Sequence, residues 1–278
     1  MDMKDSLMQM ILEDIGFEDI TTNALVPPDL NLRARIISRQ KGLIAGIDLA
    51  KIILDEFKIK IIKSKMDGNP IDVNETVMEF EGNARSILTI ERTVLNLIMR
   101  MSGIATITSK AIRKVHTVNK DIIIAGTRKT TPGLQFYEKK AVYAGGGDPH
   151  RFRLDDCVMI KDNHLLVVGD VGKAIKKARK YVSFTKKIEV EVENENDAIL
   201  AVKSGADIVM FDNMSPEDIK KAVSLLKNEK IRDKVLLEAS GGINLNNILE
   251  YARTGVDIIS IGFITHSAST LDMSLEIV

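Results

Sequence analysis

The sequence predicts an α/β protein whose larger part is a β/α barrel of parallel strands. Two observations lead there. From Asp121 onward, short β-branched runs alternate with amphipathic helical stretches. Each of those runs finishes in polar or glycine-rich residues. Before residue 117 the style differs: helices and strands mix without regular alternation, as in a small α/β domain with an antiparallel element.

The elements follow in order. Ser6–Ile15 carries apolar residues at helical spacing. Leu32–Ser38 and Thr76–Phe80 read as strands, and Gly46–Phe57 as a helix between them. A long helical stretch, Arg85 to His116, is expected to break near Gly103. The later strands are Asp121–Ala125, Cys157–Ile160, Lys187–Val192, Asp207–Phe211, Lys234–Glu238 and Asp257–Ile261. Helices are expected over Asp170–Tyr181, Asn194–Ser204, Ser215–Asn228 and Leu245–Thr254. Asp170, Asn194, Ser215 and Asn244 are their cap-type starts, and Gly205 and Gly255 are stops. Strands covered by helices on both faces are parallel. An open doubly wound sheet shares this alternation. The barrel is favoured because several strand ends carry chemistry, and barrels build active sites there.

Bulk composition removes some function classes. The chain has 278 residues, 45% of them hydrophobic, enough for a full core. Basic and acidic residues number 39 each, so the net charge is zero. The whole protein is therefore not an electrostatic binder of nucleic acid or of anionic membrane. Every apolar run is too short to span a bilayer. One cysteine, Cys157, excludes an internal disulfide and reads as a small buried hydrophobe. A cytoplasmic home is expected.

The strand ends hold the candidate site. Lys-Ile-Glu-Val-Glu-Val-Glu over residues 187–193 alternates with period two. Its aliphatics would meet the helices, and its glutamates would point into the barrel. Ionised carboxylates there need cations, a metal or ligand hydroxyls, and Glu191 in mid-strand is the leading residue. Ser-Gly-Gly-Ile-Asn at 240–244 precedes a predicted helix and suits a phosphate bound by backbone N–H groups. Gly-Thr-Arg-Lys-Thr-Thr-Pro-Gly at 126–133 ends the first of the parallel strands. Gly-Gly-Gly-Asp-Pro-His-Arg at 145–151 and Lys161 follow. Arg128, Lys129, Arg151 and Lys161, with His150, thus gather around one pocket and imply a polyanionic substrate. Structural ion pairs with Glu189 to Glu193 are the competing account.

These stretches resemble the quinolinate phosphoribosyltransferase family, the carboxylating nicotinate-nucleotide pyrophosphorylases. Thr-Arg-Lys-Thr-Thr-Pro-Gly, Gly-Gly-Gly-x-x-His-Arg, Ile-Lys-Asp-Asn-His, Glu-Val-Glu-Val, Asp-Asn-Met and Ser-Gly-Gly-Ile carry the likeness. So do Leu-Glu-Asp-Ile-Gly-Phe-Glu-Asp-Ile-Thr-Thr at 12–22, Glu-Arg-Thr-Val-Leu-Asn-Leu at 91–97 and Ser-Gly-Ile-Ala-Thr at 102–106. The resemblance implies an N-terminal α/β sandwich domain, residues 1–116 joined by 267–278. An incomplete, open α/β barrel over 117–266 would follow it.

The resemblance also implies the reaction. Quinolinate would take phosphoribose from phosphoribosyl pyrophosphate with Mg2+, giving nicotinate mononucleotide, pyrophosphate and carbon dioxide. Arg128, His150, Arg151 and Lys161 would hold the quinolinate carboxylates. Arg92 would reach the same pocket from the partner in a homodimer or larger assembly. Lys129 would meet phosphoribosyl pyrophosphate. Glu191 and Asp212 would hold the ribose hydroxyls and the metal. Ser240, Gly241, Gly262 and His266 would cradle the 5′-phosphate. Lys129, Lys161, Glu191 and Asp212 are the implied catalytic set.

Pro149 departs from the asparagine expected before the His-Arg pair. Molybdenum-associated relatives, which transfer phosphoribose to another acceptor, resemble this segment with proline. The Lys-Asp-Asn-His run argues against that branch. A Schiff-base aldolase using Lys161, and an anion-binding relative without turnover, are the other readings.

Overall fold

A computed structural model describes residues 3–278. The chain forms two compact units. One comprises Met1–Ser109, Tyr143–Gly146 and Ala268–Val278, and the other Lys110–Val142 with Gly147–Ser267.

The first unit begins with α1 (Met3–Ile15) and α2 (Ile20–Leu25), the latter capped by the Asp19 side chain. β1 (Asn31–Ser38), β2 (Gly42–Leu43), α3 (Ile47–Glu56), β3 (Lys60–Ser64), β4 (Pro70–Ile71) and β5 (Thr76–Asn83) follow, and then α4 (Ala84–Val115). β1 alternates from Arg33 to Ile36, and beyond a register shift at Ile36/Ile37 its end is buried on both faces. Ala34 and Ile36 are fully buried, as is Phe80 on β5, opposite Ala34. Arg33 and Arg35 face the other way and meet Glu79, Glu81 and Glu276. This is the pairing that stabilises an antiparallel ladder. The four-stranded sheet runs β12-β1-β5-β3, where β12 is the C-terminal strand Met273–Ile277.

The expected break at Gly103 does not occur, and α4 runs unbroken for 32 residues. The glycine serves packing instead. A Cβ there would collide with the Ser269 carbonyl and come within 3.0 Å of Thr270 Cα.

The second unit alternates as predicted. Its elements begin with β6 (Ile123–Ala125), α5 (Gln135–Ala144), β7 (Val158–Ile160), α6 (Asp162–Val168), α7 (Val171–Tyr181) and β8 (Ile188–Val192). α8 (Glu195–Lys203), β9 (Ile208–Asp212), α9 (Pro216–Asn228), β10 (Leu236–Ser240), α10 (Ile248–Ala252), β11 (Ile258–Ser260) and α11 (Phe263–His266) complete it. The six strands are parallel in the order β6-β11-β10-β9-β8-β7. β6 and β7 are the two edges, so the barrel is open between them. The fold is thus the mixed α/β type with an incomplete barrel.

Asp170, Asn194 and Ser215 cap α7, α8 and α9 through their side chains, as expected. Asn244 does not. Gly241 and Gly242 both take positive φ, at +92° and +61°, and the chain stays in a loop until α10 begins at Ile248. The Asn247 side chain accepts the Asn244 N–H instead. The glycine loop is thus not the start of a helix, and loop amides rather than a helix N-terminus must serve any anion there. No helix among the described residues is long and apolar enough to cross a membrane.

Candidate active site

Because the six strands are parallel, their C-terminal ends share one rim. A cleft of about 690 Å³ opens there. Its walls come from all six strand ends: Gly126–Lys129, Lys161 and Asp162, Glu191, Asp212 and Asn213, Glu238 with Ser240–Asn244, and Ser260 with Gly262. His150, Arg151, Phe263 and His266 add to it from loops and from α11. Every predicted site residue except Arg92 lines this cleft. Arg92 sits on α4 of the first unit, and its side chain is exposed.

The β8 glutamates behave as their period requires. Ile188, Val190 and Val192 are buried, and Glu189 and Glu191 take the opposite face. Glu191 forms an ion pair with Lys161. Burial raises the Glu191 pKa, opposed by the Lys161 hydrogen bond and charge and assisted by the nearby Asp212 charge. Glu193 is exposed and outside the cleft. Structural ion pairing is therefore real for Glu191.

Glu189 and Glu238 are fully buried, and His150 Nε2 lies 3.5 Å and 3.3 Å from their carboxylates. Burial, then the Glu238 charge, pushes the Glu189 pKa well up. For His150 burial disfavours the charged ring, but the Glu238 hydrogen bond and the two carboxylates outweigh it and raise the pKa. Its Nδ1 accepts the Arg151 N–H at 2.8 Å. In the neutral ring that bond places the proton on Nε2, facing the two carboxylates. Both ring nitrogens are thus engaged by the protein. The residue also holds φ +55°, an uncommon backbone state.

Arg151 reaches the Cys157 carbonyl at 3.5 Å and the Met159 sulfur at 3.1 Å. Its Nε is buried without a partner. Arg151 lines the cleft, where a planar guanidinium can pair with an anion. Cys157 is half-buried rather than fully so, and burial pushes its thiol pKa up. Arg128 and Lys129 end β6 with exposed side chains. The Lys129 carbonyl accepts a hydrogen bond from Thr265 at 2.8 Å. Gly241 is obligatory, because a Cβ there would clash with Asn213, whose N–H would lie 2.6 Å away.

Sequence reasoning missed several residues. Glu238 interrupts the apolar run Leu-Leu-Glu-Ala, and a lone carboxylate inside a parallel strand was an available signal. Ser260 lines the cleft with a buried hydroxyl that has no partner. Glu138 and Lys139 on α5 are fully buried, although Glu-Lys-Lys on a helix reads as a solvated face.

The chain matches known proteins over nearly its whole length. Residues 104–276 match the quinolinate phosphoribosyl transferase C-terminal domain, and residues 19–102 match the N-terminal domain. A "probable nicotinate-nucleotide pyrophosphorylase (carboxylating)" of Methanothermobacter thermautotrophicus is 54% identical over 275 residues, 99% of each chain. The Bacillus subtilis protein of the same description is 41% identical, covering 99% of this chain and 93% of that one. Among solved structures, the nicotinate-nucleotide pyrophosphorylase from Francisella tularensis superposes with a TM-score of 0.91 at 38% identity. That match covers 99% of this chain and 96% of the other.

Proposed function

The chain belongs to the quinolinate phosphoribosyltransferase family, and from that premise we infer the reaction it performs. It transfers phosphoribose from phosphoribosyl pyrophosphate to quinolinate with decarboxylation. The products are nicotinate mononucleotide, pyrophosphate and carbon dioxide, a step of de novo NAD biosynthesis. One observation carries the reading: Arg128, Lys129, Arg151 and Lys161 meet in one cleft of a chain with zero net charge. Such a cleft selects substrates with several negative charges, and both of these substrates have them.

We assign roles by position. Arg128, Arg151 and Lys161 hold the two carboxylates of quinolinate. His150, with both ring nitrogens engaged, contributes by holding the Arg151 main chain at the cleft wall. Lys129 meets the pyrophosphoryl sugar. Ser240, Gly241, Gly262 and His266 surround the 5′-phosphate. Loss of pyrophosphate leaves positive charge on the ribose, and the carboxylates of Glu191 and Asp212 stabilise it. The same pair would hold Mg2+ together with the sugar pyrophosphate. The donor set fits, since these are two hard carboxylate oxygen donors whose charges oppose each other. When bound, the metal neutralises the leaving pyrophosphate. Once the pyridine nitrogen is alkylated, the 2-carboxylate leaves an electron-poor ring, and cations held away from bulk water favour that charge loss.

The proposal extends to a homodimer in which Arg92 from a second copy reaches this cleft. It also extends to a cytoplasmic setting, which rests on the single cysteine. The Lys161 aldolase reading loses ground, because the Lys161 amino group is already engaged by the Glu191 carboxylate.

The test offers quinolinate and nicotinate in parallel with phosphoribosyl pyrophosphate and magnesium. Nicotinate mononucleotide from quinolinate alone, with carbon dioxide released, is expected. Product from nicotinate alone would move the protein to another acceptor and direct attention to the Pro149 segment. Tight substrate binding without any product would leave an anion-binding relative.

A further inference from the structure

Two adjacent charged residues on α5, Glu138 and Lys139, are fully buried. A buried charge is costly unless it is well partnered, and an apolar side chain would fill the same space at less cost. Each has partners in a different cleft-lining segment. Lys139 Nζ donates to the carbonyls of Pro149 and Arg151, the latter at 2.7 Å. It also sits 5.3 Å from the Phe152 ring centroid. Those two carbonyls flank His150, whose φ of +55° needs support from its surroundings. An ammonium on a flexible stem can serve two converging carbonyls at once. Glu138 accepts the Thr131 N–H at 3.0 Å and the Thr131 hydroxyl at 2.9 Å. Thr131 closes the segment that carries Arg128 and Lys129. Consecutive helix positions diverge by about 100°, so neighbouring residues can reach separate loops.

We propose that Glu138 and Lys139 are positioning residues, one for each substrate. Lys139 sets the His150–Arg151 segment for the pyridine dicarboxylate, and Glu138 sets the Lys129–Thr131 segment for the pyrophosphoryl sugar. The assignment rests on the reading of the cleft given above.

Steady-state kinetics on Lys139→Met, Glu138→Ala and Glu138→Gln tests it, with both KM values and kcat measured beside the wild type. Lys139→Met is expected to raise the quinolinate KM by about tenfold or more while the phosphoribosyl pyrophosphate KM moves less than about twofold. Glu138→Ala is expected to do the reverse. Glu138→Gln should recover most of the loss, because its amide oxygen still accepts the Thr131 N–H. A fall in kcat with both KM values unchanged would mark a merely structural role and overturn the proposal. Equal rises in both KM values for each variant would overturn it too. If Lys139→Met or Glu138→Ala fails to fold, Lys139→Gln and Thr131→Val carry the same split at smaller size, about threefold. Wild-type protein that makes no product from quinolinate would remove the functional reading and this assignment with it. Wild-type turnover with unsplit KM values would remove this assignment alone.

Discussion

Lys161 and Glu191 form an ion pair across the ends of the neighbouring strands β7 and β8. The pair keeps one cation and one anion of the cleft satisfied, and on the proposed reading both also serve substrates. Lys161→Met leaves the half-buried Glu191 without its partner and the quinolinate without a cation. Truncating one partner of such a pair costs about 2–5 kcal/mol, so kcat/KM for quinolinate should fall by about 30-fold or more. Borohydride reduction with carbonyl substrates should leave Lys161 unlabelled, as mass spectrometry would read. An adduct there would revive the aldolase reading.

Arg151 holds its guanidinium against a carbonyl and a sulfur, with Nε buried and unpartnered. Arg151→Lys keeps the charge but loses the planar fork. The quinolinate KM is expected to rise by about 10- to 100-fold, with the phosphoribosyl pyrophosphate KM little changed. Equal affinity in the variant, by calorimetry with quinolinate, would show that charge alone suffices.

Gly241 combines φ +92° with a close approach to Asn213. Gly241→Ala strains the backbone and pushes the Asn213 side chain aside. A stability loss of about 1–3 kcal/mol is expected by urea denaturation, with weaker binding of the sugar pyrophosphate. An unchanged midpoint would mean that the β9 and β10 ends yield more easily than their geometry implies.

Lys139 also predicts a pH signature. Burial lowers its pKa from 10.5 to about 8. The unfolded chain therefore binds more protons than the folded one between about pH 8 and 10.5, and stability rises with pH through that window. Below it the full cost of the buried charge is present. The gap between the two pKa values, at ~1.4 kcal/mol per pH unit, amounts to about 3 kcal/mol. Denaturant unfolding at about pH 7.5 and pH 10 should show wild type gaining about 2 kcal/mol relative to Lys139→Met on the alkaline side. A gap that stays constant would mean that the lysine keeps its ordinary pKa.

Arg92 predicts complementation between copies. Arg92→Ala and Lys129→Ala should each be nearly inactive alone. Mixed by refolding together, they should recover about one quarter of wild-type activity, since half of the dimers then hold one intact site. No recovery would sink the shared site.

Part of this site is legible in the sequence alone. Lys161, Glu191, Asp212 and Ser240 stood at the ends of β-branched runs, and parallel βα repeats bring every such end to one rim. Period two in β8 put Glu189 and Glu191 on the inner face without knowledge of their neighbours. Glu238 obeyed the same rule and was overlooked. Lys139 was illegible, because its partners at Pro149 and Arg151 lie in a loop that a helix pattern does not address. The unbroken α4 shows the same limit. Gly103 reads as a helix breaker from its own propensity, yet its purpose lies in the close approach of Ser269.

The sequence by itself determined the α/β class, the order of the parallel strands' chemistry and the polyanionic character of the ligand. These follow from local periodicity and from residue types at fixed offsets, which the chain carries without folding. Only the tertiary structure decided which edges of the barrel stay open, that both nitrogens of His150 are engaged, and that Glu138 and Lys139 are buried. Those depend on contacts between residues distant in sequence. There, burial and hydrogen-bond geometry override what each residue prefers alone.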